Sequence, residues 1–340
     1  MNRIKVLVVD DSATMRLLVA KALEADPGIE VVGLAKSASE ARDLIKQLNP
    51  DVMTLDVEMP ELDGLSFLER VMRLRPMPVI MVSTLTAAGT ETAVEALALG
   101  AVDCVVKPSS AHPDSFDDLP AKVKIASKVR RRHAAPAEPA VRPVSGYKPD
   151  GKIIAIGSST GGVEALIAML SCFPVNCPPT LVTQHMPPMF TRNLAARLDR
   201  LCAPSVMEAS HGAPLRQGAI YIAPGGDEHL EVTGRATLTC SLKQGPPVNG
   251  HCPSVDRLFA SVARAAGPNA VGVILTGMGR DGAQGLLEMR RAGARTLAQD
   301  EASSIVYGMP RAAVEIGAAE QQYALTRIGQ AVLEATASRI

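Results

Sequence analysis

The sequence has no excess of charge of either sign: Lys plus Arg number 35 and Asp plus Glu number 35 over 340 residues. A chain without a global field is not drawn as a whole to nucleic acid or to an anionic membrane, so any such contact would have to be local. No apolar run is long enough to cross a bilayer. The start, MNRIKVLVVDD, is too short in apolar residues for a signal peptide and runs directly into acids, which predicts a cytoplasmic protein without direct membrane insertion. The six cysteines (Cys104, Cys172, Cys177, Cys202, Cys240, Cys252) show no C-x-x-C spacing, which leaves neither a zinc ligand set nor a disulfide framework. They read as small buried hydrophobes. His251 beside Cys252 is a formal thiol-and-base pair, but neighbours in sequence seldom point at each other. No internal repeat is apparent.

What the chain does have is length for two cores and a segment between them that belongs to neither. The stretch KVRRRHAAPAEPAVRPVSGYKP carries Pro136, Pro139, Pro143 and Pro149, little apolar content and no periodicity, and is a linker. Arg130, Arg131 and Arg132 at its start suit a solvated helix end, where cations meet the negative pole of the dipole. The expected division is 1–125, a linker at 126–149, and 150–340. Before the linker, apolar runs at 4–9, 31–35, 52–55, 79–82 and 104–106 alternate with amphipathic stretches, which implies a (βα)5 doubly wound parallel sheet. After it, runs at 153–156, 181–183 and 271–275 resume the alternation, and AIYIAPGGDEHLEVTGRATLTC between the last two reads as ribbon, with Gly-Gly and Thr-Gly as turns. Both domains are therefore α/β with doubly wound parallel sheets, the second with an antiparallel β-ribbon insertion.

Ligands of a parallel sheet gather at the carboxyl ends of its strands. There the first domain places Asp10 and Asp11 after the first run, Asp56 after the third, Ser83 after the fourth and Lys107 after the fifth. Clustered carboxylates are reconciled by a Mg²⁺ ion that leaves room for a phosphoryl group. A hydroxyl and a cation complete a site for an anionic adduct on Asp56. One such acid would read as a helix cap, the role suited to Ser12 and Ser37, but one polar group per strand at a single edge reads as a site. VVDDS, LDVEMPELDGL, IMVST and VVKP, in this order, resemble the receiver domain of two-component response regulators. The resemblance implies that Asp56 accepts phosphate from a histidine kinase, that Asp10, Asp11 and Asp56 hold Mg²⁺, and that Ser83 and Lys107 register the adduct. Where many receivers carry an aromatic switch residue, this chain has Cys104.

The second domain opens with IGSSTGG (156–162), a glycine-rich turn between an apolar run and a helical one. Backbone N–H groups at such a turn attract either a phosphate or the oxyanion of acyl transfer. Gly157-Ser158-Ser159-Thr160-Gly161 also fits G-x-S-x-G, in which small neighbours lift a serine hydroxyl above the sheet edge. A serine nucleophile needs a base and the base an orienting partner. Among the histidines, His185 directly follows the run TLVTQ at a strand's carboxyl end, whereas His112 and His133 fall in or near linkers, His211 in a loop and His229 within the ribbon. A second glycine-rich turn, Gly277-Met278-Gly279-Arg280-Asp281-Gly282, is a literal G-x-G-x-x-G, with Asp300 at about the separation of a ribose-binding acid. Asp281 argues against a dinucleotide there, because it would set a carboxylate among the amides meant for pyrophosphate. As the partner of an imidazole the same carboxylate makes sense, held ionised by a strand end and a helix dipole. Ser159, His185 and Asp281 then form the catalytic set, with Thr160 and Gly161 as oxyanion donors.

IGSSTGG, QHMPP, YIAPGGDEHL, PSVDRLF and TGMGRDGA together resemble the catalytic domain of chemotaxis protein-glutamate methylesterases, a family that also carries a receiver in front. By that resemblance Ser159, His185 and Asp281 are the triad, Thr160 and Met278 lie beside it, and the substrate is the γ-glutamyl methyl ester of methyl-accepting chemoreceptors. Deamidation of receptor glutamines by the same triad is implied as well, with no cofactor for the esterase and a monomeric chain. Pro253, Ser254 and Asp256 read as a helix start with Ser254 as N-cap. A nucleotide-binding regulator built on the glycine-rich turns is the rival class. A DNA-binding regulator would need a basic recognition helix that the neutral chain does not offer.

Overall fold

Strands form here where apolar residues run without the alternation of a half-exposed sheet, as parallel strands covered on both faces require. Val6 to Val9, Val52 to Leu55 and Val79 to Val82 are buried throughout. The computed structural model describes residues 3–59, 64–109, 115–129 and 146–338. The chain falls into two compact units, Met1–Ala137 and Glu138–Ile340. Arg130 to Arg132, His112 and His133 lie outside the described residues.

In the first unit β1 (Ile4–Val9), β2 (Ile29–Ala35), β3 (Val52–Asp56), β4 (Val79–Ser83) and β5 (Asp103–Val106) form one sheet in the order β2-β1-β3-β4-β5, parallel at every pairing. Helices α1 (Ala13–Glu24), α2 (Ala38–Leu48), α3 (Gly64–Leu74), α4 (Ala87–Ala98) and α5 (Leu119–Ala126) connect or follow the strands. Ser12, Ser37 and Thr86 cap the first, second and fourth of these, each accepting from a backbone N–H of the first turn. The chain leaves β1 toward β2 on one side and returns to β3 on the other, so the carboxyl ends of β1 and β3 flank the crevice where such sheets bind ligands.

The second unit contains a seven-stranded parallel sheet in the order β14-β13-β12-β6-β7-β9-β8. Its strands are β6 (Ile153–Ser158), β7 (Thr180–Gln184), β8 (Ser205–Glu208), β9 (Ala219–Ile222), β12 (Ala270–Ile274), β13 (Arg295–Gln299) and β14 (Gln321–Tyr323). Helices α6 (Gly162–Leu170), α7 (Phe190–Leu201), α8 (Val255–Ala266), α9 (Ala283–Arg291), α10 (Met309–Glu315) and α11 (Leu325–Ala335) complete it. β6 lies between β7 and β12, which makes its end the switch point of this sheet. Tyr147 is buried and its hydroxyl lies 2.7 Å from Thr336 Oγ1, tying the start of this unit to its last helix.

The antiparallel insertion is present but shorter than the sequence predicts. β10 (Glu228–Thr233) pairs with β11 (Thr239–Gln244) in a two-stranded ribbon. The residues Ala219–Ile222, read above as ribbon, instead form β9, parallel to both β7 and β8. Gly225-Gly226 is accordingly no hairpin turn. It carries the chain from sheet to ribbon past the carbonyls of Met186 and Pro187, so close that a Cβ at Gly225 would stand 2.6 Å from each oxygen.

Candidate active site

Register brings the serine and the histidine together. Ser158 pairs with Gln184 across β6 and β7, so Ser159 and His185 leave adjacent strand ends, which lie about 4.8 Å apart in any sheet. The His185 N–H donates to the Ser158 carbonyl at 3.1 Å, and the Ser159 N–H donates to the Thr276 carbonyl beyond β12 at 3.0 Å. Gln184 fixes the turn from below. Its Oε1 accepts from Ser158 Oγ at 2.6 Å, and its Nε2 donates to the carbonyls of Ser159 at 2.9 Å and His185 at 3.2 Å. This buried glutamine opens QHMPP, but the sequence analysis gives it no role of its own.

The second glycine-rich turn passes directly over the serine. A Cβ at Gly277 would lie 2.7 Å from Ser159 Cβ and 2.3 Å from Met309 Sδ. That glycine is therefore required by close approach, with no phosphate needed to explain it. Met278 follows it at the rim with 38 % exposure, while Asp281 is fully buried. Thr160 is buried, and its carbonyl accepts from Thr276 Oγ1 at 3.0 Å. Gly161 takes φ +75°, and a Cβ there would meet Ile305 at 2.5 Å. Gly161→Ala is thus expected to destabilise the second unit by about 1–3 kcal/mol from backbone strain alone, read as a lower urea midpoint with hydrolysis lost in parallel.

His185 Nε2 and Asp281 Oδ2 are 2.8 Å apart. An ionised carboxylate only accepts, so Nε2 carries the proton and Nδ1 of the neutral ring keeps its lone pair. Nδ1 is buried and has no hydrogen-bond partner. Asp281 is meanwhile saturated with donors: Val255 N–H at 2.7 Å on Oδ2, and Ser254 Oγ at 2.9 Å, Asn249 Nδ2 at 3.2 Å and Asp256 N–H at 3.3 Å on Oδ1. Burial would raise its pKa, but the hydrogen bond and charge of His185, with the donations from Val255 and Asn249, outweigh it and bring it down to about 2. The carboxylate therefore stays charged wherever the enzyme would work.

Three of those donors, Ser254, Val255 and Asp256, come from the N-cap and first turn of α8, so Asp281 binds the positive end of that helix. Asp256 repays the arrangement at α9, accepting from the Gly285 N–H at 2.7 Å. Burial, resisted by that bond, raises its pKa. Ser254 is the N-cap that the sequence predicts, accepting from Arg257 N–H, and it also touches the site through Asp281. The expected neighbours His251 and Cys252 do not act as a pair. Cys252 Sγ lies 3.6 Å from His229 Nε2 and burial pushes its thiol up, while the His251 ring stacks on that of His185 at 3.8 Å between centroids and 10° between planes. His185, His251 and Asp281 could be mistaken for metal ligands, having ligand atoms within 4.8 Å of one another. Two nearly parallel rings send their lone pairs side by side, which suits no tetrahedral centre.

The first unit gathers its acids as expected. Asp10, Asp11 and Asp56 offer oxygens within 4.8 Å of one another. Lys107 Nζ bridges Asp10 Oδ2 at 3.0 Å and Asp56 Oδ2 at 2.8 Å. Burial raises the pKa of Asp56 to about 6, Lys107 pulling it down and Asp10 pushing it up. Buried carboxylates this close, with one of the three exposed at the rim, are a donor set that fits a hard divalent cation. The beginning of the cleft beside them, lined by Asp11, Val57, Glu58, Met59, Leu65, Ala88 and Thr92, has room for about 520 Å³. Ser83 is not bonded to Asp56 here: its hydroxyl donates to the carbonyls of Gly89 at 2.9 Å and Thr84 at 3.1 Å. Beside Cys104, whose thiol burial pushes up to about 12, Lys122 reaches from α5 to the Cys104 carbonyl at 2.9 Å and to Asp103 and Asp118 at 3.3 Å each.

A serine at the switch point of a parallel sheet, at a strand end adjacent to that of a histidine tied to a buried carboxylate, in a chain whose first unit holds a receiver-like acid cluster, describes the class of receiver-linked hydrolases. Comparison with known proteins agrees. The family model for CheB methylesterase matches residues 154–332, that for the response regulator receiver domain matches 6–113, and the chain belongs to the CheB methylesterase family. It is 60 % identical over 343 residues to a Caulobacter vibrioides protein named protein-glutamate methylesterase/protein-glutamine glutaminase 1, covering 100 % of both chains. An Agrobacterium fabrum protein named protein-glutamate methylesterase/protein-glutamine glutaminase is 59 % identical, covering 98 % of this chain and 97 % of that one. The crystal structure of the Thermotoga maritima CheB methylesterase catalytic domain superposes with a TM-score of 0.53 at 37 % identity, over 54 % of this chain and 98 % of that one. Among the described residues no helix is long and apolar enough to cross a membrane.

Proposed function

We propose that the chain is a phosphorylation-controlled protein-glutamate methylesterase, which hydrolyses γ-glutamyl methyl esters of methyl-accepting chemoreceptors and deamidates receptor glutamines. The observation that carries the catalytic half is the His185 ring: Nε2 is committed to Asp281, and the buried Nδ1 has no partner. Nδ1 takes the Ser159 Oγ proton as that oxygen attacks the ester carbonyl. The tetrahedral oxyanion lies against backbone N–H groups of the turns that meet at the serine, with those of Thr160, Gly161 and Met278 as donors. Collapse breaks the C–O bond, Nδ1 returns the proton to the leaving methoxide, and methanol departs. A water deprotonated at the same Nδ1 then cleaves the acyl-enzyme to glutamate and free serine. With a glutamine side chain the leaving group is ammonia and the rest is unchanged.

Control comes from the first unit. Asp10, Asp11 and Asp56 would hold Mg²⁺, which neutralises charge on the incoming phosphoryl group, and Asp56 accepts that group from the histidine kinase of the pathway. Lys107 already pairs with the acceptor, and Ser83 must give up its backbone bonds to reach the adduct. Methanol release from methylated receptor membranes, with and without a small phosphodonor, tests both halves: release only above background with Ser159 intact, and faster with the donor. Asp56→Asn is expected to abolish phosphate incorporation and the donor's effect while leaving the basal rate in place. Radiolabel incorporated at an undiminished rate in that variant would move the acceptor elsewhere.

A further inference from the structure

Beyond the triad, one loop places a second imidazole on the general base. The segment from Pro246 to Ser254 is closed like a clasp by His229, which is fully buried. The Ser254 N–H donates to His229 Nδ1 at 3.1 Å, so Nε2 carries the ring proton and donates it to the Pro246 carbonyl at 3.1 Å. Inside the clasp, Val248 and His251 exchange both backbone hydrogen bonds at 3.0 Å, around Asn249 at φ +52° and Gly250 at φ +81°. Two successive residues with positive φ make a type I′ turn, the conformation that Asn-Gly favours. The turn sends Asn249 Nδ2 to both Asp256 Oδ2, at 2.7 Å, and Asp281 Oδ1, at 3.2 Å. It sends His251 onto the face of His185.

An imidazole held by a single hydrogen bond at Nε2 can still rotate about that bond, and rotation would swing Nδ1 away from the serine. The hydrogen bond fixes one point of the ring and a flat neighbour fixes its plane. We propose that His251 is a positioning residue for the hydrolysis, its ring the support against which His185 is held so that Nδ1 faces Ser159. The proposal rests on the assignment of Ser159, His185 and Asp281 as the triad. It requires a flat ring at 251 and no proton transfer by that ring, and the two requirements can be separated.

The test uses the full-length chain with His251→Phe and His251→Leu, and three readouts: kcat and KM for methanol release from methylated receptor, the rate at which a fluorophosphonate labels Ser159, and the ring-proton NMR shifts of His185. The Leu variant should lose about 10- to 100-fold in kcat, as small misplacements of a catalytic group do, with KM unchanged within about twofold and labelling slowed in parallel. The Phe variant should restore most of both rates. In the unaltered protein the stacked ring should shift His185 ring protons upfield, and the Leu variant should release them, so the stack is visible even if one variant folds poorly. A Leu variant that labels at the wild-type rate, a Phe variant as slow as the Leu variant, or absence of the upfield shift in the unaltered protein would each overturn the proposal. Unaltered protein that is labelled at Ser159 yet releases no methanol would overturn the substrate assignment and leave the labelling comparison decisive for His251. Unaltered protein that is not labelled at Ser159 overturns the triad and this proposal with it.

Discussion

Ser159→Ala should lower methanol release by a factor on the order of 10⁴ to 10⁶, the loss typical of a triad deprived of its nucleophile, while phosphate incorporation at Asp56 continues at the wild-type rate. The fold has no reason to suffer. Ser159 is anchored through its backbone, by its N–H to Thr276 and its carbonyl to Gln184 and the Gly162 N–H, and an alanine Cβ occupies the place that Gly277 already clears. What disappears is the one oxygen that can attack while His185 Nδ1 stands ready to take its proton. The residues proposed for phosphotransfer, Asp10, Asp11, Asp56 and Lys107, are all in the other compact unit, so the two chemistries should separate cleanly in a single variant. The measurement is initial methanol release alongside phosphate incorporation from a radiolabelled phosphodonor. A residual activity within about tenfold of wild type would place the nucleophile elsewhere, since the oxyanion donors and substrate binding alone account for only about 10³ to 10⁴ over water.

The sequence discloses those parts of the fold whose physics is local. Fully apolar runs such as Ile153 to Ile156 and Val79 to Val82 became buried parallel strands within a residue or two of their expected ends. β8 and β14 are not legible because their burial is interrupted: Ser205–Glu208 alternates exposed and buried positions, and Gln321–Tyr323 is an edge strand with little burial at all; β13 is buried from Thr296 to Gln299, but two of those four residues are polar. Ala219–Ile222 reads as ribbon in the sequence, yet all four of its residues are buried in the parallel sheet. A continuous apolar run of that kind is the mark of an interior parallel strand, and the attraction of the following Gly-Gly as a turn overrode it. At the active site, residues at strand ends were legible because topology fixes the edge on which they emerge. The contacts of Asn249, His251 and Gln184 were not, since they arise from side chains meeting across loops and strands. His251 is distant from His185 in sequence, and no spacing rule connects the two.

Asp281→Asn should cost about 10⁴ in kcat with KM little changed, because it reverses the tautomer of the base. The amide offers an NH₂ where Oδ2 now accepts from Nε2, and the ring answers by moving its proton to Nδ1, the nitrogen that must receive the serine proton. An amide turned the other way keeps the tautomer but presents its NH₂ to Ser254 Oγ, Asn249 Nδ2 and Asp256 N–H, which leaves buried donors facing one another. Stability should fall too. The carboxyl pKa drops from 3.8 to about 2, so its contribution is fully present above 3.8 and is lost as the pH falls through 2. At 1.36 kcal/mol per unit this amounts to about 2 kcal/mol where His185 is also charged, and to less at neutral pH, where that ring is neutral. Urea midpoints of the variant and the unaltered protein should therefore differ at pH 7 and converge as the pH approaches 2. Since the triad acts as one unit, adding Ser159→Ala to Asp281→Asn should reduce the rate little further. Losses that multiplied would mean that Asp281 serves catalysis by a route that does not pass through the serine.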